Sequence, residues 1–162
     1  RILKVMLSYD YLWINIRVKG GAYGCMSGFG RSGEGYLVSY RDPNLRETNA
    51  VYEGVTDYLR NFQADERDMT KFVIGTISDL DTPLTPSIRG SRGLSAYLSG
   101  VTQEMMQKER DQVLSATVED IRALADIVQA ILDTGAFCVV GNEDRIEGAK
   151  DLFKETKNLY QA

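Results

Sequence analysis

The chain has 162 residues, 43% of them apolar and 26% charged, with a formal net charge of −4. That size and balance fit one ordinary domain with a real core, and the acidic total tilts against nucleic-acid partners, which usually need a basic face. There is no histidine, which excludes a histidine-ligated zinc, a Ser-His-Asp triad and a Cys-His dyad built from these residues alone.

Apolar residues begin at once with helical spacing: Ile2, Val5, Met6, Tyr9, Leu12, Trp13 and Ile16. A chain that opens inside a helical pattern reads as a piece of something longer. Trp13 is assigned to the core. "KGG" (Lys19 to Gly21) should end this helix. Seven of the 15 glycines then fall between Gly20 and Gly35. Two short strands around that glycine-rich reversal, the second being "GYLVSYRD", predict a β-hairpin. "DPN" (Asp42 to Asn44) turns the chain, with Asn44 as the expected N-cap of the next helix.

Helical patterns fill most of the remainder. One runs through Val51, Val55, Leu59 and Phe62 despite Gly54; a second runs through Met69, Phe72, Ile77 and Leu80 until "DTPLTP" (Asp81 to Pro86) stops it. Less regular helical stretches cover 87–98 and 102–114, with Met105 and Met106 read as core. Arg89 and Arg92 are expected on a surface loop. The cleanest helix starts at Thr117 with Asp120 three residues on and closes at Gly135. "AFCVV" (Ala136 to Val140) reads as a short central strand, and Asn142 caps a last helix. Cys25 and Cys138 each lie in an apolar run and are expected to be buried free thiols. No apolar run is long enough to span a bilayer, so neither a membrane nor a nucleic acid is expected as partner. The class is α+β: a mixed or antiparallel sheet, incomplete in this chain, with helices packed on one face.

"GFGRSG" (Gly28 to Gly33) spells G-x-G-x-x-G, but the residues after it alternate like a strand. A dinucleotide site needs a helix opening there to hold the pyrophosphate. A kinase glycine loop would need an H-R-D loop, impossible without histidine. These glycines shape a hairpin. "RVKGGAYG" is a different matter, because an Arg, a Lys and a Tyr crowd a glycine pair where a buried helix meets a strand.

"YLWINIRVKGGAYGCMSGF", followed by "GYLVSYRDPNL", resembles the C-terminal half of the pitrilysin/insulinase family of inverted zinc metallopeptidases, nearest to its presequence protease-like subfamily. "IGTISDLDTPLTP", "TVEDIRALA" and "VVGNEDRIE" follow in the expected order. The resemblance implies a clamshell of two halves around a peptide chamber, with zinc and an H-x-x-E-H helix in the N-terminal half. Residues 1–162 would be the later part of the C-terminal, non-catalytic α/β domain, inactive alone and binding no zinc. Its partners would be the N-terminal catalytic half and peptide substrates. The parent would be a zinc endopeptidase for short unstructured peptides, cytoplasmic in bacteria or in an organellar matrix in eukaryotes.

The resemblance also assigns a site. An Arg-Tyr pair reaching across the chamber maps onto Arg17 and Tyr23, with Gly20, Gly21 and Gly24 letting a substrate backbone approach closely. A phenol O–H suits a developing oxyanion, and a guanidinium suits a carbonyl. Without the motif, an Arg at a helix end would simply cap carbonyls and a strand Tyr would be core; Lys19 reads as a solvated neighbour. The alternative is an inactive scaffold subunit of the same fold, which would have no need of Arg17 and Tyr23.

Overall fold

The computed structural model describes residues 1–159. A continuous helical rod opens it: α1 (Ile2–Met6) passes directly into two π-wound segments, Leu7–Tyr11 and Trp13–Lys19. β1 (Gly24–Phe29) and β2 (Gly35–Tyr40) form an antiparallel hairpin, with Gly24 opposite Tyr40 and Phe29 opposite Gly35. Helices follow: α2 (Arg46–Glu53), α3 (Val55–Arg60), α4 (Glu66–Leu80), α5 (Pro86–Leu98), α6 (Gln103–Leu114), α7 (Val118–Ala123), α8 (Ala125–Leu132) and α9 (Glu143–Glu147). The α+β class holds, with helices gathered on one face of a two-stranded sheet.

The first rod is the centre of the core. Met6, Leu7, Leu12 and Ile16 are essentially inaccessible and pack with Val55, Leu59, Phe72, Ile121 and Val128. Each such side chain contributes about 1.5–3 kcal/mol by leaving water. The π winding explains two departures from the expected stripe. A wider turn delays the return of each residue to the inner face, so Leu12, five positions after Leu7, points inward. Tyr9 and Trp13 rotate out instead, 71% and 38% exposed. Trp13 is therefore not core.

Local chemistry sets the helix ends. Thr117 and Asp120 form the reciprocal capping box that their spacing predicts, and Gly135 adopts φ +60 past the end of α8. Thr85 caps α5 with Pro86 in its first turn. Arg89 and Arg92 therefore sit on a helix and not on a loop. That helix buries none of its residues. Met105 is exposed and Met106 half-buried, because α6 turns only Val113 fully inward; neither is core.

Three further expectations fail. Ala136 to Val140 forms no strand among the described residues. An apolar run becomes a strand only beside a second strand, and here Phe137 instead turns back to Gly135 and stacks on Phe153. Cys138 is exposed, and Cys25 is only half-buried. Asn44 does not cap α2, whose cap position is Leu45. The Asn44 side chain is spent on another contact, at the end of the first helix.

Candidate functional site

The helix carrying Arg17 ends in a double closure. Ala22 N–H donates to the Ile16 carbonyl (3.1 Å), and Gly21 N–H to that of Arg17 (3.0 Å). Gly21 takes φ +77, the left-handed turn that such helix ends use. Gly20 is required for a different reason. A Cβ there would lie 2.6 Å from the Ile16 carbonyl oxygen, closer than atoms tolerate. Ala22 is buried beneath, which anchors the turn. Both glycines thus have structural duties. Gly24 has none: a Cβ at this position would meet nothing within 4 Å.

A second turn buttresses the first. The Asn44 side-chain amide donates to the Gly20 carbonyl (2.6 Å). Asp42 holds that turn in shape by accepting from Asn44 N–H (2.9 Å) and from the Thr48 hydroxyl (2.7 Å). Tyr23 N–H donates to the Arg41 carbonyl (3.3 Å) just before the strands pair. The "KGGAY" and "RDPN" segments are therefore one hydrogen-bonded unit at the open end of the hairpin.

On this unit Tyr23 is 65% exposed. Its ring meets Tyr40 edge to face at 5.9 Å and the Arg41 guanidinium at 5.8 Å. Its hydroxyl has no hydrogen-bond partner among the described residues. Arg17 is half-buried and lays its guanidinium over the Trp13 ring, 4.1 Å from the centroid. Outward rotation of Trp13 thus supplies the surface on which Arg17 rests. The two predicted residues flank one helix-to-strand turn but have separate partners, and no direct contact joins them here. Burial pushes the Cys25 thiol up, against the opposing influence of Arg17, so that thiol is no ready nucleophile. Lys19 is exposed and reaches Asn15 (3.1 Å).

The sequence reading passed over Arg41. It has φ +47, the only non-glycine residue with positive φ among those described. Nothing in "SYRDP" signals a left-handed arginine; that follows from the turn. At the other end of the hairpin, Gly30 N–H bonds to the Glu34 carbonyl (2.8 Å) and Gly33 takes φ +90. Gly28 leaves room for the Tyr36 ring. The "GFGRSG" glycines therefore build a tight reversal and open no helix. A cleft of about 860 Å³ lies beside this turn against α5 and α6 and includes neither Arg17 nor Tyr23. The site is an open surface.

No group of three His, Cys, Asp or Glu able to hold a metal ion occurs among the described residues. No described helix is long and apolar enough to cross a membrane.

Comparison with known proteins gives the family of this chain. Residues 1–143 match the family model of the PreP C-terminal domain, and the chain belongs to that family. It is 46% identical over 160 residues to Protein HypA of Clostridium perfringens, covering 99% of this chain and 16% of that protein. It is 34% identical over 161 residues to presequence protease 1, chloroplastic/mitochondrial, of Arabidopsis thaliana, covering 99% of this chain and 15% of the relative. The mitochondrial presequence protease of Aspergillus oryzae is also 34% identical, over 162 residues, with 99% and 16% covered. The chain spans about one sixth of the length of these relatives.

Proposed function

We propose that the chain is the later part of the C-terminal, non-catalytic domain of a peptidase acting on short unstructured peptides. In this role it closes the peptide chamber and contacts substrate. The observation that carries the reading is Tyr23, a solvent-facing phenol with an unspent O–H on a rigid helix-to-strand junction. It belongs to a chain whose relatives include presequence proteases. A surface tyrosine free of hydrogen-bond duty to the fold is suited to a ligand.

When a peptide carbonyl is attacked, negative charge grows on its oxygen. A preorganised O–H at that point stabilises the transition state more than the ground state. Tyr23 supplies that donor. Arg17, with fixed planar N–H groups, holds a neighbouring substrate carbonyl, and the bare backbone at Gly24 lets the peptide main chain come close. The zinc of such an enzyme would be held by the other half of the parent polypeptide. The parent would work in the cytoplasm of a bacterium or in an organellar matrix.

Tyr23→Phe in the full-length parent tests this. The ring contacts survive and one O–H is lost, so kcat should fall by about 10²–10³ with folding and metal content unchanged. Full kcat with normal KM would reduce Tyr23 to a surface aromatic.

A further inference from the structure

Arg41 is the wrong residue for its backbone. Left-handed φ suits glycine or asparagine, and an arginine with a Cβ adopts it only under constraint from its surroundings. Such strain points to a use for the side chain, and the geometry around Arg41 shows one. The guanidinium lies 5.4 Å from the Tyr40 ring and 5.8 Å from that of Tyr23, between two rings set edge to face. Aromatic faces hold a guanidinium while leaving its in-plane N–H groups free.

Those donors make no hydrogen bond among the described residues. Arg41 is exposed and forms no ion pair among the described residues. The adjacent carboxylate, Asp42, is already accepting from Asn44 and Thr48. Arg17 and Lys19, on the same hydrogen-bonded unit, likewise have no carboxylate partner there. Of these three cations Arg41 is the one that lies against the Tyr23 ring, and two rings orient it.

We propose that Arg41 is a specificity-determining residue that binds a carboxylate of the peptide held at Tyr23, either its free C-terminus or an acidic side chain. A planar guanidinium matches a carboxylate through two parallel N–H···O bonds. The inference rests on the substrate role of this surface proposed above. A purely structural duty, acceptance of Tyr23 N–H by the Arg41 carbonyl, belongs to the main chain and survives replacement of the side chain.

The test compares the full-length parent with its Arg41→Gln, Arg41→Asn and Tyr23→Phe variants. Four peptides are used: one sequence as the free acid and as the C-terminal amide, and one pair differing by Glu against Gln. The parent should favour the charged member of at least one pair by about tenfold or more in kcat/KM, the scale of one charge-assisted contact. Acid over amide identifies the C-terminus, and Glu over Gln the side chain. Both Arg41 variants should bring that ratio close to one, and Arg41→Asn, which accepts the backbone, should unfold no earlier than the parent. Tyr23→Phe should slow all four peptides alike and keep the ratio. If Tyr23→Phe slows the enzyme but no charge preference exists, or the preference survives in both Arg41 variants, the proposal is overturned and the Tyr23 reading stands. Full activity of Tyr23→Phe on every peptide overturns both.

Discussion

Gly24→Ala separates a glycine kept for the fold from one kept for a ligand. Gly24 lies in β1 opposite Tyr40, its φ is not positive, and an added Cβ would meet no atom within 4 Å. Alanine there strains nothing and removes freedom from the unfolded chain, which typically stabilises by about 0.4–1 kcal/mol. For a chain of this size that raises the unfolding midpoint by about 1–4 °C. In the full-length parent the same methyl enters the space assigned to the peptide backbone. An overpacked contact costs about 1–3 kcal/mol, which corresponds to a KM about 5- to 150-fold higher. Calorimetry on the chain and steady-state kinetics on the parent read the two effects separately. A lower midpoint would refute the finding that the space is empty. An unchanged KM would refute its assignment to substrate.

Gly20→Ala should do the opposite, lowering the stability of the chain by about 1–3 kcal/mol because its Cβ presses on the Ile16 carbonyl; an unchanged midpoint in thermal unfolding would contradict this. Metal analysis of the purified chain should find no stoichiometric zinc, and a fluorogenic-peptide assay no hydrolysis; one tightly held zinc per chain would overturn the placement of the metal in the other half. Burial alone would raise the pKa of Glu109, but hydrogen bonds from Arg1 and Arg31 outweigh it and hold it below the ordinary carboxylate range. A depressed carboxyl stabilises above its unfolded pKa and loses that contribution as pH falls through the folded value. Acid unfolding of Glu109→Gln should therefore show a weaker pH dependence than wild type, and identical profiles would contradict the pairing. Met26, Tyr36, Val38 and Tyr40 expose one face of the hairpin, and Leu94, Tyr97 and Leu98 lie exposed on α5. Light scattering should show self-association of the isolated chain through such patches, and a clean monomer at high concentration would argue against it.

Features written in local chemistry were legible. The capping box at Thr117, the hairpin and the stop at "DTPLTP" each depend on a few adjacent residues, and all are present. Features that depend on a distant partner were not. The run at Ala136 to Val140 has strand composition but no neighbour to pair with among the described residues. Trp13 has a core composition, yet its direction depends on how tightly the preceding turns are wound. In the candidate site, the motif singled out Arg17 and Tyr23 but not their surroundings. That "KGG" ends the helix was legible; that Asn44 braces that end from 24 residues away and that Arg41 flanks Tyr23 are consequences of the turn at Asp42.

The π-wound segments make chain length, more than composition, the determinant of where Arg17 sits. Each residue of an ordinary α-helix advances about 100° around the axis. Removing one residue between Leu7 and Lys19 would allow the wide turns to relax to α geometry with little loss of hydrogen bonding. The apolar seam could close again on the core. Arg17 and Trp13, four residues apart on the rod, would keep their contact, but the pair would sit one residue's rise, about 1.5 Å, out of its present place against the core. A deletion here would thus spare the fold while disarming the surface, as cutting one tooth from a gear leaves the wheel intact but shifts its timing.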